Sequence, residues 1–361
     1  MHESRGLGDV YKRQVTSNGQ AVMSWLEAST DGSALRFAVL DGEQWDTTHT
    51  VASGGNWFVN WADFPSVVPI HGDFWVAHWL VSQPAGGYAY DIAVSVSNDA
   101  GKTWGEPTTP HNDLTPTEHG FVSIFPQRDG AGLIWLDGRN MSVAGAEHGA
   151  HGTSEGMTLR SAHITVESRL EQGQQVDGLV CDCCQTDIAL ADSGPVAVYR
   201  NRTEDEIRDI YFSRLLDGQW STGQPVSSDN WKISGCPVNG PAIAAQQERL
   251  VVAWYTGAQS QSTVKLAFSN DQGDGFHPAL TIDSSNPLGA VDVLLLENGD
   301  AVISWLGETA DGHAQIRLQR VSPSGDRGIE HKIAATSIGK MTGFPQMVVA
   351  GQKVVWHGPI G

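Results

Sequence analysis

Three carboxylates, four arginines and four cysteines carry most of the chemistry open to this chain. Asp63, Glu118 and Asp137 stand in the runs NWADFPS, TEHGFVS and WLDGRN. Acidic side chains in unlike surroundings titrate apart and can divide the roles of acid and base. Turn capping is the competing use, because Asp and Asn at strand entrances bond local amides. Arg139, Arg200, Arg202 and Arg208 could form a fork for a substrate carboxylate, since a guanidinium pairs two oxygens at once. Arg139 could equally pair with Glu204 or Asp205. His78, His119 and Asn239 add polar groups at comparable places.

The cysteines are Cys181, Cys183 and Cys184, in CDCCQTD, and Cys236 in GCPVNGP. Converging thiolates would bind a soft ion, Cu(I) or Zn(II), with His78, His119 or Asp182 completing the shell. The alternative is a pair of disulfides, or one bridge and two thiols, in an exported or periplasmic protein. Adjacent Cys183 and Cys184 point to opposite faces of a strand, which argues against one ion held by all four. The paired C-x2-C spacing of zinc fingers is absent. Among 13 histidines, His148 and His151 form a close pair in the Gly-rich stretch AGAEHGAHGTSEG, which reads as a lid or as a surface loop.

What must position these residues is a repeat. An aromatic recurs in a short apolar run at Trp25, Trp79, Trp135, Tyr199, Trp254, Trp305 and Trp356, with steps of 51 to 64 residues. That is the period of a four-stranded antiparallel β-propeller blade. The recurrence assigns the aromatics to packing between blades. Each run follows another apolar stretch and a turn, as in VDVLLLENGDAVISW, and precedes a third strand such as DIAVSVS or VKLAFSN. Seven second strands imply seven blades; six, with one irregular repeat, is the alternative.

Blade topology sorts the reactive residues. The start of strand 1, the end of strand 2 and the start of strand 3 share one rim. That rim collects Asp63, Glu118, His119, the cysteines and Asn239 from strand 1 starts. It also collects His78, Asp137, Arg139, Arg200, Arg202 and Tyr255 from strand 2 ends, and Arg208 from a strand 3 start. Propellers place sites where inner-strand loops converge on the channel, so the channel mouth is the expected site.

The opposite rim carries Ser97-Asn98-Asp99-Ala100-Gly101-Lys102-Thr103-Trp104, with a weaker copy at Ser269, Asp271, Gly273 and Phe276. A short hydroxyl and a carboxylate two apart bond the backbone of a tight turn, and glycine supplies positive φ. These residues resemble the Asp-box (BNR) repeat, S-x-D-x-G-x-x-W, of sialidases and related β-propellers. The resemblance implies a glycan-active hydrolase that uses three arginines on the sugar carboxylate, an Asp acid/base and a Tyr nucleophile assisted by Glu. It implies no cofactor for hydrolysis. The chain departs from that family in blade number and in lacking its N-terminal R-I-P motif. No Tyr–Glu pair matches, which leaves Tyr255 as the candidate nucleophile.

The bulk composition narrows the partners. Asp and Glu outnumber Lys and Arg, 41 to 22, for a formal charge of -19, which disfavours nucleic acid and anionic membranes. No apolar run is long enough to span a bilayer. A carbohydrate or another small anionic substrate is what the sialidase resemblance implies. Residues 1–14, MHESRGLGDVYKRQ, resemble translated adapter sequence at the ends of assembled environmental reads and are set aside from the fold. Residues 15–361 then form one propeller domain whose first blade lacks its innermost strand and whose last stops before its third.

Overall fold

Seven apolar runs share one aromatic position, and among its described residues the computed structural model has seven antiparallel sheets of two to five strands. It describes residues 11–15, 19–141, 156–171, 173–336, 344–350 and 353–357. The aromatic runs are the second strands: Ala21–Ser29, Phe74–Ser82, Gly130–Asp137, Gly194–Arg200, Arg249–Thr256, Ala301–Glu308 and Lys353–His357. Their inner partners are Tyr11–Val15, Ser66–His71, His119–Gln127, Asp187–Ala191, Ala242–Gln246, Pro287–Leu295 and Gln346–Ala350. Sheets one, three and four have five strands, sheets five and six have four, sheet two has three and sheet seven has two. Each inner strand touches the inner strand of the next sheet, and Gln346–Ala350 touches Tyr11–Val15. The arrangement is consistent with a β-propeller.

One expectation is corrected. Sheet one has its innermost strand: Tyr11–Val15 pairs with Ala21–Trp25, so four of the residues set aside as adapter sequence stand in the sheet. The physical reason is that the inner edge of Ala21–Ser29 would otherwise carry unpaired amides and carbonyls. His148 and His151 lie outside the described residues.

Trp79, Trp135, Tyr199, Trp254 and Trp305 are all buried, as core positions must be. A buried indole or phenol also needs a hydrogen-bond acceptor. Trp254 Nε1 donates to Asp229 at 2.7 Å, Trp305 Nε1 to Asp283 at 2.8 Å and Tyr199 Oη to Asp177 at 2.6 Å. Asp177 and Asp283 lie on outer strands of the preceding sheets, Gln175–Val180 and Leu280–Asp283, so the aromatic anchor also fastens neighbouring sheets.

Inner strands are fastened by a second device. A polar side chain on one sheet accepts a backbone N–H of the next: Ser24 from Val67, Asp63 from Phe121, Gln185 from Gly240, Asp187 from Ile243, Asn239 from Ala290 and Asp292 from Met347. These bonds satisfy amides that an inner edge would leave bare. Between the inner strands lies a channel of about 570 Å³, walled by apolar groups such as Val122, Ile124, Ile188 and Val293, with Asp63, Asp187 and Asp292 among its lining.

On the far rim, Ser97 Oγ donates to Asp99 at 2.8 Å and accepts from Gly101 N at 2.8 Å, while Asp99 accepts from Thr103 N at 2.8 Å. Ser269, Asp271 and Gly273 repeat the pattern: Ser269 Oγ donates to Asp271 at 2.6 Å and accepts from Gly273 N at 3.1 Å. Gly101 has φ 81°, and a Cβ there would lie 2.7 Å from Phe37, so glycine is required twice over. Trp104 Nε1 donates to Gly101 O, and Phe276 takes the equivalent place by packing its ring on Phe212. Ser97→Ala strands the buried Gly101 amide and should cost about 1–2 kcal/mol, read as a lower denaturant midpoint with unchanged slope.

Candidate functional site

Strand ends on the near rim gather the reactive side chains into three groups, all outside the residues that line the channel except Asp63. Inner-strand positions are spent on fastening sheets together. Asp63 accepts Phe121 N through both oxygens, at 2.9 Å each, and Tyr90 Oη at 3.3 Å. Asn239 accepts Ala290 N at 2.8 Å. His78 is buried, with Nδ1 2.8 Å from Ser66 Oγ. These are positions that hold backbone together.

The first group joins sheets two and three. Arg139 binds Asp137 through Nε at 2.6 Å and Nη2 at 2.7 Å, and reaches Asp113 at 3.1 Å. It does not pair with Glu204 or Asp205, because Gly138 turns it back on its own strand end. A Cβ at Gly138 would lie 2.8 Å from Glu118 O, so this glycine lets the turn pack on the backbone of Glu118. Burial opposes ionisation of Asp137, yet Arg139 and His119 hold its carboxyl below the usual range. His119 and His111 stack with ring centroids 3.8 Å apart and planes 5° apart. Asp113 bridges them, 3.2 Å from His111 Nδ1 and 3.1 Å from His119 Nε2. Burial works against the charge on both partners. The imidazole and Thr115 bonds nevertheless keep Asp113 low, and the nearby carboxylates raise His119.

The second group joins sheets three and four around Asp182. Arg202 and Arg208 do form a fork, and the chain's own Glu206 fills it: Arg208 Nη2 donates at 2.8 Å and Arg202 Nε at 3.1 Å. Asp182 lies on the other side of the same arginines, 3.5 Å from Arg202 Nη1 and 3.9 Å from Arg208 Nη1, and accepts Met157 N at 3.4 Å. These contacts are long, so its lone pairs are only partly engaged. Half-buried Glu118 feels both Asp182 and Asp63, and burial together with those two charges pushes its carboxyl up to about 8. Arg200 belongs to a different structure. Its donors go to the carbonyls of Arg208, Asn239 and Tyr255, at 2.7 to 3.1 Å, and its plane lies 4.9 Å from the Trp231 ring. Tyr255 Oη meets Ser262 Oγ at 2.9 Å, which is a hydroxyl partner and no base.

The cysteines take unlike states. Cys183 and Cys236 form a disulfide, while Cys181 and Cys184 are buried thiols with sulfurs 2.9 Å apart. This is the arrangement of one bridge and two thiols, and all four residues lie outside strands, Cys181 to Cys184 in the turn between Gln175–Val180 and Asp187–Ala191. Burial would raise the Cys181 thiol, but Cys184, Arg208 and Arg200 bring it down to about 7.

Asp292 responds to pH in the channel wall. Burial and the charge of Asp187, partly offset by the Met347 amide, push its carboxyl up to about 7. Between 3.8, the ordinary value, and 7 the folded chain keeps a proton that the unfolded chain releases. The contribution is therefore full below that window and fades as pH rises through it, by about 1.4 kcal/mol per pH unit. Asp292→Asn should flatten the decline in unfolding free energy measured between pH 4 and 7.

Sequence reasoning missed His111 and Asp113 and the place of Asp182 among the arginines. Asp182 was weighed only as a metal ligand, although its place in CDCC already put it beside the arginines' strand end. His111 and Asp113 lie in the connection before His119, where no strand pattern draws notice; the H-x-D spacing was the available signal. Cys181 and Cys184 stand three apart, a spacing hidden by the tighter C-x-C-C run.

No family model matches the chain, and no curated protein matches its sequence. Among solved structures, the BP39L lectin from Burkholderia pseudomallei aligns at TM-score 0.62 and 11% identity over 98% of both chains. A family PL25 ulvan lyase bound to a GlcA-Rha3S repeat aligns at 0.53 and 10%, over 94% of this chain and 84% of that one. A Hadza microbial sialidase, Hz136, aligns at 0.48 and 12%; this chain spans 62% of its length. At these identities the likeness to the lectin and the lyase is one of fold, and the fold it supports is β-propeller-like.

Proposed function

We propose that the protein is a carbohydrate-active propeller of seven blades that cleaves glycosidic bonds at its near rim, with Glu118 as proton donor and Asp182 as the second carboxylate. The carrying observation is that Glu118 is raised by burial and by the charges of Asp182 and Asp63, while Arg202 and Arg208 back Asp182 at 3.5 and 3.9 Å. A donor must hold its proton at working pH, and burial beside two carboxylates does this for Glu118. Asp182 then serves as nucleophile or base: about 5–5.5 Å between the carboxyls selects retention and about 6.5–9.5 Å inversion. Asp63 and Asp137 are excluded from the reacting pair by their short internal bonds. The two Ser-Asp-Gly turns and the sheet repeat support a sialidase-superfamily scaffold. The acidic-sugar fork is not part of this reading, since Glu206 fills it. The Cys183–Cys236 bridge between sheets suits an exported or periplasmic protein.

The test is product release from a panel of oligosaccharides and aryl glycosides by wild type and Glu118→Gln. Turnover by wild type and its loss in the variant support the reading. Glycan binding by both with no product would replace it with a lectin.

A further inference from the structure

We propose that Asp91, His111 and His119 form a binding site for a divalent first-row transition metal ion, with Zn²⁺ as the reference ion. Asp91 lies on the third strand of sheet two, Tyr90–Ser97, and His119 opens the first strand of sheet three. The parallel bridge between Tyr90 and Glu118 brings these ends together. Gln83 donates to Asp91 Oδ1 at 2.6 Å and to Thr115 O at 3.1 Å, which pins the connection carrying His111.

The stacked rings present two edges. On one, Asp113 faces His111 Nδ1 and His119 Nε2. A carboxylate only accepts, so each ring carries a proton on this side. On the other edge, His111 Nε2 lies 3.5 Å and His119 Nδ1 3.9 Å from the same Asp91 Oδ1. The three atoms fall within 4.8 Å of one another. The His111 side chain is only 4% exposed, and its Nε2 has no hydrogen-bond partner. The unpartnered His111 Nε2 and a carboxylate oxygen therefore converge on one point beside His119 Nδ1. In the metal-free chain that Nδ1 donates to Tyr90 O at 3.3 Å, so a bound ion would displace its proton.

A dication resolves this convergence. Two nitrogens and one oxygen suit Zn²⁺, Co²⁺ or Ni²⁺, and suit neither Ca²⁺, which needs six to eight oxygens, nor Cu(I), which prefers sulfur. Asp113 supplies the carboxylate that a metal-bound histidine needs behind it to fix tautomer and ring angle. Asp91 is 36% exposed, giving a path from solvent and room for water in the remaining positions. The neighbouring triangle of Asp113, His119 and Asp137 differs, because Arg139 already supplies its positive charge.

The experiment is calorimetric titration of chelator-stripped full-length protein with Zn²⁺, repeated with Co²⁺ under visible absorption. One equivalent should bind, with Co²⁺ bands free of thiolate charge transfer. Asp91→Asn, at a half-exposed position, and His111→Gln should each weaken binding at least ~10-fold, and Asp113→Asn by ~10- to 100-fold through ring orientation. Melting curves confirm folding of each variant. Cys181→Ser with Cys184→Ser, and Glu118→Gln, should bind as wild type, which keeps this site separate from the proposed catalysis. No uptake, uptake indifferent to Asp91→Asn and His111→Gln, or uptake abolished by the cysteine variant would overturn the proposal.

Discussion

Glu118→Gln should lower kcat/KM on glycans with poor leaving groups by ~10² to 10⁴, the usual worth of a positioned general acid. The amide keeps the size and polarity of the side chain but has no proton to give. Its effect on folding should be small and in the stabilising direction, because the native carboxyl is pushed up by burial, Asp182 and Asp63 and the amide never ionises. The pH profile follows from the same environment. A donor raised to about 8 works while protonated, so wild-type kcat/KM should fall as pH rises through that value, and the variant should lose this limb. Asp182→Asn should be damaging whatever the leaving group, since the second carboxylate is needed in every case.

Arg200→Ala should destabilise the protein by about 3–5 kcal/mol, because its removal strands several buried acceptors at once. The guanidinium is 2% exposed and serves three carbonyls from sheets four and five. Removing it leaves those oxygens buried without donors, at about 1–3 kcal/mol each before relaxation, and empties the face of Trp231. Arg200→Lys should fall between, because one ammonium cannot reproduce a planar fork. Equilibrium unfolding in urea reads the difference. A variant that keeps wild-type stability and loses only substrate affinity would move Arg200 from the scaffold into the binding site.

The difference between Arg200 and Glu118 marks what could be seen in the sequence. The fold was legible because its signals are local or periodic: one aromatic every 51 to 64 residues, and the Ser97, Asp99 and Gly101 turn, whose bonds run over four residues. Partners were not, because they are chosen across loops. The approach of Asp113 to Arg139, and of Asn239 O to Arg200, depends on how sheets abut, and no residue spacing encodes it. Asp63 shows the cost. It looked like an acid at a strand entrance, and at that place a carboxylate between two inner strands finds an amide first. Tyr11–Val15 shows the reverse case, a segment judged by its composition that nonetheless pairs with a strand lacking a neighbour.

The central claim is that Glu118 delivers the proton to the leaving oxygen. Its most direct measurement is the rate of Glu118→Gln, relative to wild type, across aryl glycosides whose leaving phenols grow steadily more acidic. The account predicts a large deficit with weakly acidic phenols that shrinks toward none with dinitrophenol, which departs without help. A deficit of the same size along the whole series would contradict it.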